Sequence, residues 1–351
     1  MEGATSASEN GRPYKPSWID RFNNWVGTLP IHAWVFYTLS GIALILVQIL
    51  FLWLEGAMGA QDLLPVIIFN GLVTPFLLGL ILLFDNQAVT ALDSMRPSLD
   101  MTESVFSEYR YKLSNMPSHA ALISGLGLLV IVIALEQLIT VPSSYAVLEQ
   151  LPIFTVVYHV IDKSSAFMYG VMVYHTIRQL RLVNSINTRH LRISLFNVGP
   201  SQAFSKLTAS TAVGLVVGVY AWMLINPELL AELINIGFTL TFTLLAVAVF
   251  VWPLFGTHNI LLKEKVRALQ EIDLHFEAVF AKFNQHLEDD EFEATERLNR
   301  TITSLDIQHK RISAIPTWPW SSETGRIVLT AIALPLMLMI IQVLVIQAFG
   351  R

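Results

Sequence analysis

The chain has no cysteine, which excludes disulfides, thiolate metal sites and cysteine nucleophiles together. Charge is scarce as well: only 14% of the 351 residues are Asp, Glu, Lys or Arg. A soluble domain carries about 25%, because its surface must be solvated. Basic residues are not in excess, the net charge being −5. No basic face is offered to nucleic acid, and none is expected as a partner. Gly-rich phosphate loops, a Ser-His-Asp order and HExxH spacing are all missing. No catalytic residue, cofactor or metal site is therefore expected.

What the sequence has instead is apolar length. Hydrophobic residues make up 54% of it, and its mean hydropathy is +0.56. Seven apolar runs cover 33–54, 63–84, 120–141, 153–177, 209–226, 234–255 and 326–349. Each approaches the roughly 20 residues that a helix needs to cross the hydrocarbon core. The first run lacks a small-residue cleavage site and reads as a retained span. An all-α, multi-pass protein of the cell membrane is expected, with the lipid bilayer as its first partner.

Lys and Arg placement predicts the orientation. With a cytosolic N-terminus the outside loops are 55–62, 142–152 and 227–233, and none contains Lys or Arg. The inside segments hold nearly all of them, including Arg96, Arg110, Arg178, Arg189, Lys206, Lys263 and Lys310. Lys163, inside a span, and Arg351 are the exceptions. Seven spans, N-in and C-out, is the expectation.

The corresponding organisation is a disordered tail over 1–17, then a six-span region over 18–256 with cytosolic helical loops at 85–118 and 178–208. A cytosolic antiparallel hairpin over 257–323 and a seventh helix over 324–351 follow. Trp18, Phe22 and Trp25 suit a short helix at the headgroup level. Val105, Phe106, Tyr109 and Leu113 form an amphipathic stripe. In the hairpin, Leu262, Val266, Leu269, Asp273, Phe276, Phe280, Phe283 and Leu287 step by fours and threes like a coiled-coil seam. Leu298, Ile302, Leu305, His309 and Ile312 do the same after an acidic turn at 288–291. Pairing Phe280 with Ile302 sets Phe276 near Leu305, Leu269 near Ile312 and Asp273 opposite His309. Pro253 and Gly256 predict a kink where the first arm meets its span.

Candidate site residues are the polar ones inside the spans. His159, Asp162 and Lys163 share one helix face, with Tyr158 one turn from Asp162 and Glu136 at comparable depth on the preceding span. Intramembrane charges are costly and face a cavity or a partner. The set reads either as a ligand or ion pocket or as a structural ion pair. Asn235, Thr239 and Thr243 form a stripe that lines a pore or bonds a neighbouring helix. Thr330, Gln342 and Gln347 are the polar groups of the last run, which Pro335 should kink. Ser210, Gly214 and Gly218 repeat every fourth residue and predict a close helix approach.

This organisation resembles the insect odorant and gustatory receptors, which are tetrameric cation channels of seven spans, N-in and C-out. The parts that carry the resemblance are the extension 177–196, the arm 261–287, the helix 292–312 and the last span 326–349. The family's Thr-Tyr and Gln-Phe signature is not matched, since the chain ends Gln-Val-Leu-Val-Ile-Gln-Ala-Phe. The resemblance implies a homo-oligomer, a tetramer as in that family, gated by a small-molecule or ion ligand. A non-conducting sensor or scaffold recruiting a partner through the hairpin, and a membrane-embedded carrier, are the alternatives.

Overall fold

A computed structural model describes residues 13–57, 63–136, 150–191, 199–225, 233–288 and 292–349. They form eleven α-helices, and no strand occurs among the described residues. The protein is all-α and membrane-associated: four of these helices, drawn from 33–54, 64–98, 118–136 and 243–288, are long and apolar enough to cross a bilayer.

Helix α1 (Trp18–Gly27) begins at a capping box in which Ser17 and Asp20 satisfy each other's backbone amides. Its Ile19 and Val26 are buried, while Trp18 and Trp25 face outward. Residues 13–17, expected to be disordered, are instead packed against the body; residues 1–12 lie outside the described residues.

Helix α2 (Ala33–Leu54) packs antiparallel on α3 (Leu64–Met95). At about 1.5 Å per residue, α3 is about 48 Å long and outruns a hydrocarbon core of about 30 Å. A 3₁₀ turn over Arg96–Ser98 ends it and leads to α4 (Glu103–Ser114), which Thr102 caps at the Val105 amide. Of the stripe predicted on α4, Phe106 and Leu113 are buried, and the Tyr109 hydroxyl lies 3.1 Å from that of Ser185.

Helix α5 (Ser118–Glu136) lies along α6 (Pro152–Arg189). Gly170 permits this contact, because a Cβ there would stand 2.4 Å from the Ser124 carbonyl oxygen. After the short α7 (Gly199–Gln202), α8 (Ser205–Ile225) packs on α3, and a Cβ on its Gly214 would lie 3.2 Å from Leu80.

Helix α9 (Leu233–Glu288) runs unbroken for 56 residues. The helix continues through Pro253, where a kink is expected, and Gly256 serves a close approach to α6. A Cβ at Gly256 would meet Thr188 at 2.5 Å and Asn184 at 2.9 Å. Helix α10 (Phe292–Ser313) folds back along the far half of α9, and α11 (Ser322–Phe349) returns to pack on α8. Of the acidic turn, residues 289–291 lie outside the described residues.

The main core joins α3, α4, α5 and α6 around Ile81, Phe84, Leu92, Met95, Leu113 and Met172. A second cluster at the opposite end holds Leu63, Ile67, Phe154 and Tyr158. In the hairpin the packed residues are Ile272, Leu305 and Ile312, flanked by Leu269, Phe276 and Val279. The seam is thus displaced from Asp273 and Phe280 toward Ile272 and Val279. A 3.6-residue helix drifts from a 3.5 repeat, and here it brings the β-branched side chains inward. Lys265 closes the far end of α10 by donating to the Ser313 and Ile315 carbonyls at 2.6 and 2.8 Å.

Candidate functional site

Polar groups gather in two layers, one at each end of the α3–α5–α6 body, outer and inner on the topology expected from sequence. The outer layer starts from the α5–α6 contact that Gly170 permits. It brings Glu136, the last residue of α5, to Lys163 of α6, whose ammonium donates to the Glu136 carboxylate. The same ammonium donates to Asp162 Oδ2 at 3.0 Å. All three side chains keep some exposure, so the ion cluster lies at the surface of the bundle and not in its core.

Tyr158 and His159, also predicted for this pocket, precede Asp162 and Lys163 by about one turn of α6. Tyr158 is buried in the Leu63–Phe154 cluster. His159 is exposed and meets the Tyr158 ring edge-on at 5.5 Å. Behind them is an amide network absent from the sequence reading. Asn70 donates to Gln48 Oε1 at 3.1 Å and to the Tyr158 carbonyl at 3.2 Å, and Gln48 donates to the Ile67 carbonyl. Glu55 fixes the start of α6, its carboxylate accepting the Ile153 and Phe154 amides at 2.9 and 2.8 Å. The donors of a helix N-terminus are met there by a residue from a different loop.

Of the remaining candidates, Thr243 is half-buried and Thr330 exposed. The side chains of Asn235, Thr239, Gln342 and Gln347 lie outside what is described. His309 Nε2 stands 3.7 Å from Asp273 Oδ1, with the two side chains 43% and 60% exposed. No group of three or more His, Asp or Glu that could hold a metal ion occurs among the described residues.

The inner layer was not anticipated. Gln179 donates to the Leu113 carbonyl at 3.0 Å and to Asp85 Oδ1 at 3.4 Å. His175 is wholly buried, its Nε2 3.1 Å from Asp85 Oδ1. That approach is off the line of the ring N–H, so the contact is electrostatic and not a directed hydrogen bond. Around this core runs the N-terminal strap. The Tyr14 hydroxyl donates to the Asn115 carbonyl at 2.8 Å and accepts from the Arg178 guanidinium. Tyr111 donates to the Tyr14 carbonyl at 2.8 Å, and Ser118 to the Pro16 carbonyl at 3.1 Å.

Burial holds the Tyr14 phenol well above its ordinary range, opposed by the Arg178 charge. Burial likewise raises Asp20 above its ordinary 3.8, opposed by amides from Met116 and Ser17 and assisted by the negative charge of Asp85. Several buried atoms here have no hydrogen-bond partner among the described residues: Asp20 Oδ1, Thr176 Oγ1, Arg178 Nη1 and both amide atoms of Asn187. Only the position of Asp85, His175 and Gln179 at the margins of the apolar runs could have flagged this layer from sequence.

Comparison with known protein families, with curated proteins and with solved structures gives no match to this chain. Fold and site therefore define its class by themselves: an all-α membrane-associated protein with an ion cluster at one end of the bundle and a strapped, buried polar layer at the other.

Proposed function

We propose that the chain is one subunit of a symmetric oligomeric channel in the cell membrane, with seven spans, a cytosolic N-terminus and an extracytosolic C-terminus. The sorting of Lys and Arg supports that orientation, and the seven runs coincide in range with α2, α3, α5, α6, α8, the first half of α9 and α11.

One observation carries the oligomer. The hairpin, beyond the apolar length of α9, leaves Leu262, Val266, Leu274, Phe280, Leu287, Phe292 and Ile307 exposed. Apolar surface of this kind outside a bilayer is worth about 25 cal/mol per Å² once covered. Further copies of the same hairpin are the covering we favour. Helix α11 packs through Val328 against α8 and exposes Leu329, Met337, Ile340 and Leu344 on its other side, where a neighbouring copy fits. The α3–α6 interior is filled by Ile81, Phe84 and Met172, so a pore belongs between copies and not within one.

The uncovered hairpin equally suits the second reading, a non-conducting scaffold that recruits a soluble partner. Electron microscopy of the protein in nanodiscs, with current recording from reconstituted vesicles, separates the two. A ring with α11 near its axis and a measurable conductance supports the channel. A monodisperse monomer without current overturns it in favour of the scaffold.

A further inference from the structure

We propose that one hydrocarbon chain of a membrane amphiphile is bound in the groove between α2, α3 and α8. A cavity of about 670 Å³ opens on the flank of the bundle there, with Tyr169 of α6 as part of its floor. It exists because side chains are withheld. Gly218 faces the Tyr169 hydroxyl, where a Cβ would stand at 3.1 Å, and Gly79 faces the Tyr37 ring at 3.4 Å. Ala33 and Ala221 add nothing bulkier to the walls.

Dimensions select the occupant. The lining runs along α3 from Ile68 to Asn86, about 27 Å at the helical rise. Spread over that length, 670 Å³ is a cross-section of about 25 Å². A helix at least about 10 Å across needs roughly 80 Å², so a span from a second copy does not fit. A hydrocarbon column in van der Waals contact on all sides is about 4.5 Å across, roughly 16 Å², and does fit.

Polarity selects the same occupant and orients it. The walls are Leu72, Phe76, Leu80, Leu83, Val217 and Ile225. The Tyr37 hydroxyl is already committed to Asn23 Oδ1 at 2.7 Å and that of Thr38 to the Trp34 carbonyl at 2.8 Å. A polar ligand would be desolvated along the wall with almost nothing to receive it. Exposed Asn86 and Trp34 stand together at the hairpin end of the groove, where a headgroup meets the interface. The lips, among them Leu72, Leu83 and Val217, are themselves exposed, so a chain enters sideways from the bilayer.

The test uses the full chain in nanodiscs containing a phosphatidylcholine with a diazirine on one acyl chain. After irradiation, adducts are mapped by peptide mass spectrometry. Adducts should concentrate on α3 and α8 groove residues at least fivefold over Leu126, an exposed apolar position on α5. They should saturate with probe concentration, whereas Leu126 adducts should rise linearly. Ala221→Trp, or Val217→Trp on the lip should the first prove poorly folded, should reduce groove adducts to the Leu126 level. Equal labelling at Leu126 and in the groove overturns the proposal, as does labelling that neither filled variant changes. A groove free of adducts, with the second subunit of an oligomer lying over it, also overturns it and leaves the channel reading standing.

Discussion

Asp20 accepts the backbone amide of Met116 at 2.9 Å, across 96 positions of sequence, and through the same oxygen the amide of Ser17 at 2.8 Å. A single carboxylate oxygen thus caps α1 and pins the strap to the turn between α4 and α5.

The sign of its pH dependence follows. Folding raises the Asp20 pKa, so its contribution is fully present below the ordinary 3.8 and is lost as pH rises through the raised folded value. Asp20→Asn keeps an oxygen for both amides and removes the charge. It should be neutral or mildly stabilising near pH 7, with its advantage shrinking toward acid, whereas Asp20→Leu should cost about 1–3 kcal/mol. Thermal unfolding in detergent across pH 4–8 checks this; an advantage for Asn that grows toward acid refutes it.

Tyr14→Phe should release the strap. The hydroxyl receives Arg178, whose Nη1 is already buried without a partner among the described residues, and losing a bond to a charged group costs about 1.5–3 kcal/mol. Hydrogen exchange should quicken at Asn115, Met116 and residues 14–20 while α8 and α11 are unaffected. Unchanged exchange at Met116 would show that the strap is held without Tyr14.

In the outer layer, Lys163→Met leaves the Glu136 and Asp162 carboxylates facing each other without their cation. A loss of about 1–3 kcal/mol is expected, part of it recovered by adding Glu136→Gln. Because the side chains are partly exposed, the coupling between the two positions should stay near 1 kcal/mol. Purely additive single and double mutants count against a working ion pair.

Two glycine crossings predict an asymmetry. A methyl at Gly170 meets a backbone carbonyl that cannot move alone, whereas at Gly256 it meets the ends of two side chains. Gly170→Ala should cost about 1–3 kcal/mol and Gly256→Ala less. Melting temperatures in the opposite order would displace the α5–α6 contact described above.

Orientation is open to direct chemistry, because the chain has no cysteine of its own. A cysteine at Ser144 should react with an impermeant thiol reagent on intact cells, and one at the exposed Asn284 should not. The reverse pattern inverts the proposed topology.

The helices were legible because length and period suffice for them: 33–54 was read to the residue, and the hairpin followed from spacing alone. Contacts between distant segments were not. The segment 1–17 looks disordered in isolation, being small, polar and Pro-containing, and residues 14–16 are ordered by distant partners such as Tyr111, Asn115 and Ser118. The close approach at Gly256 was not legible, because a local pattern cannot distinguish a glycine that bends a helix from one that admits a neighbour. Asp85, His175 and Gln179 belong to loop margins in one dimension and become a buried layer only when α3 and α6 are side by side. In the hairpin, the pattern located the stripe but not which of two adjacent rows, Ile272 or Asp273, turns inward.

The unbroken course of α9 makes it a lever. From Gly256, where it bears on Asn184 and Thr188 of α6, it extends about 48 Å to Glu288. Pivoting by about 5° at that fulcrum would carry the tip sideways by about 4 Å, most of the rise of one helical turn. His258 and Trp318 stack 4.0 Å apart, and Trp318 and Trp320 4.4 Å apart, just beyond the fulcrum at the entry to α11. The same rotation would move His258, two residues past the fulcrum, by only about 0.3 Å, a small displacement at high leverage beside the base of the last helix. A force applied at the hairpin tip would therefore act on the base of α11 with mechanical advantage.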